Sequence, residues 1–533
     1  MSESKLTLAP DSSAHFVDGV WVPGHLIAAK SVAEAAFLAL GEHPATPFVY
    51  SDETGWLSRG EFLQRSMRVA ANLLSWGLGR GDRLLICAPG SVDFAAIYLG
   101  ALFAGGVVVT ANPAYTEREL AHVIADSRPA IVVADPRRLI ALRELASSRQ
   151  SHAAFVGPGQ ELPIPQKPIE CRSVEEVAAE SEAASFSFRP RDLAGETPAL
   201  IAYTSGTTGV PKGALLSHAN LLASVKGVVQ AWRWTDSDRL MLALPLFHVH
   251  GLGVGLTGSL CVGSSILLYG SFDAGLLVAA VQGEFAPTMY FGVPATYARL
   301  VEAAGFDAFS KLRLMVSGSA PLAPELFERI VSLTGQAPIE RYGMSETLMN
   351  VSNPYVGLRK KGSVGVPLPG VTVALSENGE ILVRGENVFG GYLGNPVASS
   401  VALAEGWMHT GDVGSLDDDG YLRIESRLTD MIISGGFNVY PREVEEEIRS
   451  YPGVGDAAVV GRESALWGEE VVAFIIASDP TVGIDAGALL DYLASRLVNY
   501  KIPKRVFFVE EFPRNAMGKV LGASLRELAQ KLN

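Results

Sequence analysis

Cysteine is scarce in this chain. Only Cys87, Cys171 and Cys261 occur among 533 residues. They lie far apart and follow no metal-ligand spacing, so neither a disulfide scaffold nor a cysteine-built metal site is expected. Cys87 and Cys261 sit in apolar runs and read as buried small side chains in a reducing compartment. Positive charge is also in short supply. Lys and Arg total 43 against 57 Asp and Glu, a formal net charge of −14. That balance argues against a nucleic-acid partner. Met1–Ser13 has acidic residues and no apolar h-region, so no secretory peptide is read there. Ala95–Ala111 is nearly all apolar, but it contains Gly100, Gly105 and Gly106 and stops at Asn112. It reads as a buried helix followed by a buried strand rather than a membrane span. A cytoplasmic protein without integral membrane association is the expectation.

A Walker A loop is missing too, yet one segment has the chemistry to hold polyphosphate. Residues 203–213 carry four aliphatic hydroxyls, three glycines and one lysine within eleven positions. Glycines let backbone N–H groups approach phosphate oxygens, and hydroxyls and lysine supply further donors. The strand-like run Ala199–Tyr203 precedes it, and a helix-compatible segment follows from about Ser217. The spacing from Gly206 to Lys212 is wrong for Walker A, and Gly213 occupies the place of the magnesium-binding Ser or Thr.

At 533 residues the chain is too long for one core. The fold class is read as α/β. Arg59–Trp76, Ser91–Phe103 and Thr116–Ser127 have helical spacing, and Arg83–Ala88, Val107–Val109 and Ala130–Ala134 read as strands. Alternation of this kind implies crossover units and a largely parallel sheet. Residues 150–198 read as a surface connection with one short helix near Val174–Ala184. Leu240–Leu244, Ser264–Leu268, Thr288–Phe291 and Leu312–Val316 are further strands. From Gly362 to Gly390 the rhythm changes to short strands and turns, with turns at Ser376–Gly379 and Asp417–Gly420. The chain divides into a large N-terminal domain, 1–428, with several crossover-connected sheets, and a small mobile α+β domain, 429–533. In the latter, helices are read at Pro441–Ser450, Asp485–Leu497 and Gly522–Lys531, and strands at Gly455–Gly461 and Glu470–Ala477.

The loop at 203–213 resembles the phosphate loop of the adenylate-forming enzymes, the superfamily of acyl-CoA synthetases, peptide-synthetase adenylation domains and luciferases. Glu340–Thr347 is similar to its adenine and metal motif, and Thr410-Gly411-Asp412 to its ribose motif. Arg427–Glu443 resembles the hinge and thiol-side segment, and Pro513–Lys519 the catalytic-lysine motif. The likeness covers about residues 15–530. Within the superfamily the chain looks most like malonyl-CoA synthetases, through Met344–Asn350, Ser352–Tyr355, Leu244–Gly251 and Phe291–Arg299.

The resemblance implies ATP, Mg2+ and coenzyme A as the reaction's small molecules. It places Thr204, Ser205, Gly206, Thr207, Thr208, Gly209 and Lys212 on the β- and γ-phosphates. Glu346 is implied as the magnesium ligand with Thr204 near the same ion. Tyr342, Gly343, Gly318, Ser319 and Ala320 are implied around adenine, and Asp412 and Arg427 on the ribose. Lys519 is implied to assist adenylation. The small domain is then expected to rotate near Thr429, where the family often has Asp or Lys, and Ser434, Gly435 and Gly436 to line the pantetheine tunnel.

For the acid, Arg299 is the expected partner of a second carboxylate, because its planar fork pairs bidentately. His248, Ser317, Met344 and Ser345 are expected to shape the pocket; Ser345 stands where the family more often has Thr. Malonate, or methylmalonate with its one extra methyl, is the expected substrate. Ligation of another short-chain, aryl or alicyclic acid, carrier-protein loading, luciferase-like oxidation and a non-catalytic binding module remain open.

Overall fold

Hydroxyl caps start the long helices. Ser58 accepts from the Glu61 N–H, and the Glu61 carboxylate accepts from the Ser58 N–H at 2.8 Å, opening the helix Arg59–Ser75. Thr116 and Glu119 do the same for Glu117–Ser127, and Ser217 and Asn220 for His218–Trp232. Each pair satisfies two N–H groups that a helix start leaves free. These contacts come from a computed structural model. It describes residues 6–17, 19–147, 155–156, 160–161, 169–179, 193–204, 211–428, 430–434, 437–464, 468–479, 483–514 and 519–532.

Two sheets dominate the N-terminal domain. In the nine-stranded sheet, Pro47–Ser51, Ser265–Leu268, Arg239–Leu242, Met289–Gly292, Leu314–Ser317 and Ile339–Tyr342 run parallel. Antiparallel strands finish both of its ends. In the six-stranded sheet, Pro198–Thr204, Val107–Thr110, Arg83–Cys87, Ile131–Ala134 and Glu170–Ser173 are parallel, with Lys212–Ser217 antiparallel at the edge.

The period of two in a strand sorts residues between cores. Leu84 and Ile86 join the central core, whereas Leu85 and Cys87 face the helix Glu117–Ser127. Leu240 and Leu242 likewise face the central core, and Met241 the outer one built with Ala274–Gln282. The central core holds Val32–Gly41, Arg59–Ser75, Val92–Phe103 and His218–Trp232 against one face of each sheet. Helix and sheet layers therefore alternate. Val92–Phe103 is buried along its whole length because it packs in the middle layer. The apolar run Ala95–Ala111 is thus this helix and the strand Val107–Thr110, and no helix among the described residues is long and apolar enough to cross a membrane.

A third sheet is antiparallel, built from Thr7–Leu8, Val371–Leu375, Glu380–Gly385, Met408–Leu416 and Leu422–Arg427. The turns at Ser376–Gly379 and Asp417–Gly420 fall between its strands, each closed by a backbone bond and each ending in a glycine with positive φ. The smaller C-terminal domain has its own sheet. Val454–Ser464 and Gly468–Ala477 form its long hairpin, and Ile432–Ser434, Phe437–Val439 and Arg505–Phe508 complete it. Ala457 and Val459 face one small core, Ala458 and Val460 another.

Boundaries differ from expectation by a residue or two at most places. The helix expected near Val174–Ala184 ends at Ala178, and its later part falls outside the described residues. The strand Arg505–Phe508 went unread because its burial is partial and gives no clear alternation. His250–Leu256 forms a π-helical segment that apolar periodicity does not signal. All three cysteines are buried and free. Burial pushes the Cys87 thiol up to about 11 and also raises Cys171 and Cys261.

The close crossing of Arg59–Ser75 and Val92–Phe103 turns on Gly100. A Cβ there would stand 2.6 Å from Val69 Cγ1 and 2.8 Å from the Ser66 carbonyl oxygen. Gly100→Ala is expected to cost about 1–3 kcal/mol by overpacking, seen as a lower denaturation midpoint. An unchanged midpoint would show that the helices separate freely.

Candidate active site

The strands Met289–Gly292, Leu314–Ser317 and Ile339–Tyr342 are neighbours and end on the same side. In an open α/β sheet the carboxyl ends of parallel strands present their loops to a ligand crevice. These loops open on a cavity of about 830 Å3. Pro294, Ser319, Ala320 and Tyr342 lie on its N-terminal wall, and Arg442, Arg514 and Lys519 of the C-terminal domain on the opposite one.

The turn after Tyr342 is tightly held. The Asn350 N–H donates to the Tyr342 carbonyl at 3.0 Å. A Cβ on Gly343 would collide with the Leu348 carbonyl oxygen, so only glycine fits. Leu348 itself has φ of 55°. Asn387 braces the turn, its amide donating to the Thr347 carbonyl at 2.7 Å and the Met349 carbonyl at 3.2 Å.

Asp412 joins two sheets at the cavity wall. Its Oδ2 accepts from the Tyr342 hydroxyl at 2.6 Å, and its Oδ1 meets Arg427 Nε at 3.1 Å. Its N–H donates to the Thr410 hydroxyl oxygen at 3.1 Å. Burial, and then Asp412, push the Tyr342 phenol well up, so it stays a donor. Burial opposes the Arg427 charge, but Asp412, Tyr342, Asp430 and Glu346 outweigh it and hold the guanidinium up. Lys519 reaches the cavity with its side chain open to that space, while the surrounding protein mass lowers its ammonium, as does Arg427; Asp412 and Asp430 act the other way. Tyr342, Gly343, Ser319, Ala320, Asp412, Arg427 and Lys519 thus share one cavity.

Glu346, Tyr392, Lys212 and Thr204 form a second cluster. Glu346 is buried, and its Oε1 accepts from the Tyr392 hydroxyl at 2.8 Å. The Lys212 ammonium lies 5.3 Å from the centre of the Tyr392 ring. Thr204 pairs with Lys212 across the strand edge. Burial raises the Glu346 carboxyl, and the Tyr392 hydroxyl and then Arg427 pull it back. Oxygen donors of this kind suit Mg2+, and a cation would relieve the burial of the carboxylate. Ser205, Gly206, Thr207, Thr208, Gly209, Thr429, Gly435 and Gly436 lie outside the described residues. Ser434 is buried in Ile432–Ser434, its hydroxyl without a partner among the described residues.

On the acid side, Arg299 is not among the residues that line this cavity. Ala295 and Ala298 of the helix Pro294–Leu300 line it, while Arg299 is exposed and its guanidinium stacks 4.8 Å from the Phe272 ring. Ser317 and Met344 do line the cavity. The His250 backbone N–H points at His248 Nδ1 at 3.4 Å, neither histidine is among the residues that line the cavity, and Ser345 is half-buried in the turn. Burial, with help from Arg341, pushes His248 down to about 4 and holds His250 well below its usual value, so both are neutral near pH 7. Gly318 is covered by the Arg341 guanidinium.

Arg341, Tyr392 and Glu340 were missed as cavity or cluster residues. Arg341 and Glu340 stand inside the motif read for adenine and metal, where strand alternation alone would have set Arg341 opposite Tyr342. Tyr392 meets Glu346 only through the tertiary fold.

The chain matches the family model described as AMP-binding enzyme over residues 37–393, and the one described as AMP-binding enzyme C-terminal domain over residues 443–519. It is 34% identical to a feruloyl-CoA synthase of an Amycolatopsis species, covering 88% of this chain and 93% of that one. It is 32% identical to a long-chain-fatty-acid–CoA ligase of Salmonella typhimurium, covering 93% and 95%. Among solved structures, ATP-bound MatB from Rhodopseudomonas palustris superposes with a TM-score of 0.84 at 36% identity, covering 94% of this chain and 99% of that one.

Glu340 makes the site's stability depend on pH. Its carboxyl is buried, and desolvation raises it from 4.5 to about 7 despite the Gly362 N–H at 3.2 Å. Between those values the folded chain keeps this proton and the unfolded chain releases it, so stability falls as pH rises through the window. Glu340→Gln removes that slope. Relative to the variant, the wild type is expected to lose on the order of 2 kcal/mol between pH 4.5 and 7. Parallel stability profiles would contradict the assignment.

Proposed function

The chain belongs to the AMP-binding enzyme family and is an AMP-forming acyl-CoA ligase, and on that footing we propose that its acid substrate is malonate, with methylmalonate as a close second. The observation that carries the mechanism is the convergence of Tyr342, Asp412, Arg427 and Lys519 on one cavity at the strand ends. Support for malonate comes from the runs Met344–Asn350, Leu244–Gly251 and Phe291–Arg299 and from the likeness to MatB. The names of the feruloyl and long-chain relatives favour a second reading, an apolar acid, and the substrate assay below separates the two.

A carboxylate resists attack by a thiol because its leaving group is poor. Transfer to the α-phosphorus of ATP solves this. One carboxylate oxygen forms a bond to phosphorus, the α–β bridging bond breaks, and pyrophosphate leaves with the electron pair. The difficulty is the meeting of two anions, so positioning and charge stabilisation dominate. In this reading Lys519 offsets the charge between carboxylate and α-phosphate. Tyr342 offers its ring face to adenine, with Gly343, Gly318, Ser319 and Ala320 beside it. Asp412 accepts from the ribose hydroxyls with the lone pairs that Tyr342 and Arg427 leave free. Lys212 and the loop 204–209 hold the outer phosphates. Glu346 and Thr204 would hold Mg2+, which supplies charge neutralisation at the departing pyrophosphate. In the second step the coenzyme A sulfur attacks the acyl carbon, AMP departs, and the thiol proton is lost to solvent or to AMP. Rotation of the small domain near Thr429 would withdraw Lys519 and bring Ser434, Gly435 and Gly436 to the thiol arm.

Two measurements test this reading. CoA-dependent AMP release should be strong with malonate, with malonyl-CoA confirmed by mass, and weak with octanoate, benzoate and ferulate. Preference for any of those three would overturn the substrate. Lys519→Ala should slow adenylation by about a hundredfold or more yet leave thioester formation from preformed malonyl-adenylate within about threefold. Equal loss in both steps would remove Lys519 from its assigned place.

A further inference from the structure

The helix Glu117–Ser127 meets the hairpin Pro198–Thr204 and Lys212–Ser217 with polar groups as well as apolar ones. Leu120, Val123 and Ile124 of the helix pack with Ile201 and Leu215 of the two strands. His122 and Asp126, one turn apart on the helix, reach the same hairpin. The Tyr203 hydroxyl donates to Asp126 Oδ2 at 2.7 Å. His122 Nε2 lies 2.8 Å from the Pro211 carbonyl oxygen. A carbonyl oxygen only accepts, so this nitrogen carries the proton. Burial raises the Asp126 carboxyl, and the Tyr203 hydroxyl is the first group to pull it back, ahead of His122 and Arg128.

The two contacts fall at matched places. Tyr203 directly precedes Thr204, and Pro211 directly precedes Lys212. Thr204 and Lys212 face each other as the last pair of the antiparallel ladder. Each residue assigned to the outer phosphates or the metal therefore stands next to a residue tied to one helix. That helix is itself fixed at both ends. Thr116 and Glu119 cap its start, and Arg83 donates to the Ser127 carbonyl at 2.8 Å and the Arg128 carbonyl at 2.9 Å. Gly213 keeps the hairpin side close. It pairs with Tyr203 across the ladder, and a Cβ there would stand 2.8 Å from Ile201 Cγ2 and 3.3 Å from Tyr203 Cζ. His122 and Asp126 line no part of the cavity, so an effect on ATP would pass through the hairpin.

We infer that His122 and Asp126 are positioning residues for ATP, holding Pro211 and Tyr203 so that Lys212 and Thr204 meet the β- and γ-phosphates in register. The inference rests on reading Lys212 and Thr204 as contacts of the outer phosphates, and it is indifferent to the acid. Two groups that approach a ligand from opposite strands must keep their separation, since a misplacement of about 1 Å can cost about a hundredfold. Lysine carries its charge on a flexible stem, so the backbone at its root has to be fixed for the ammonium to arrive in place.

Equilibrium binding of Mg-ATP and of AMP by the full chain tests this, because AMP lacks the phosphates in question. The double variant His122→Ala, Asp126→Ala is expected to weaken ATP about tenfold and AMP less than about twofold. His122→Gln keeps a donor and Asp126→Asn an acceptor, so each should hold ATP affinity within about twofold of wild type. Tyr203→Phe removes one hydroxyl, should weaken ATP alone by about threefold, and serves if the double variant does not fold. Lys212→Ala is the reference and should show the same ATP-selective loss. A selective loss in Lys212→Ala with none in the His122, Asp126 and Tyr203 variants would overturn this inference and leave the phosphate assignment standing. No selective loss in Lys212→Ala would remove that assignment and this inference with it. Equal weakening of ATP and AMP would reduce the pair to a structural prop and overturn the inference as well.

Discussion

The Asp412 carboxylate ties the molecule together at the point where it works. Tyr342 reaches it from the end of the large parallel sheet, and Arg427 from the neighbouring strand of the antiparallel sheet. Lys519 of the C-terminal domain lies in the same field. The Tyr342–Asp412 hydrogen bond thus joins the two sheets, and the C-terminal domain adds a lysine to the same field. The pair also balances the cavity's charge. Arg427 lowers the Lys519 ammonium while Asp412 supports it, so a change at either member is felt by a lysine supplied from another domain.

The layered architecture explains why such a point can be rigid. Alternating residues of the parallel strands feed two cores at once, one central and one peripheral. The strand ends are thereby fixed from both faces, and the turns that follow them inherit that rigidity. The Tyr342–Leu348 turn adds its own restraints through Gly343 and the Asn387 bracket.

Much of the layering was legible in the residues. The helices Arg59–Ser75 and Glu117–Ser127 are legible from helical spacing, His218–Trp232 from the helix-compatible segment at Ser217, and Gly522–Lys531 has the expected bounds. The motif at 340–347 led to the cavity because strand, turn and carboxylate are contiguous there. Relations between distant segments were harder. Glu346 meets Tyr392 across 46 positions, and Arg341 depends on the empty face of Gly318, which no local pattern reveals. The π-helical segment His250–Leu256 escaped because its glycines and apolar residues fit several periods equally well.

The scarcity of cysteine acquires a consequence once the fold is known. An AMP-forming ligase prepares a mixed anhydride that any thiolate could intercept. Cys87, Cys171 and Cys261 are all buried, and their thiols are held in the protonated form. The chain thus offers no accessible nucleophilic sulfur of its own among these three. Self-modification does not compete with hand-off, and the activated acyl group is left for the diffusible thiol to collect.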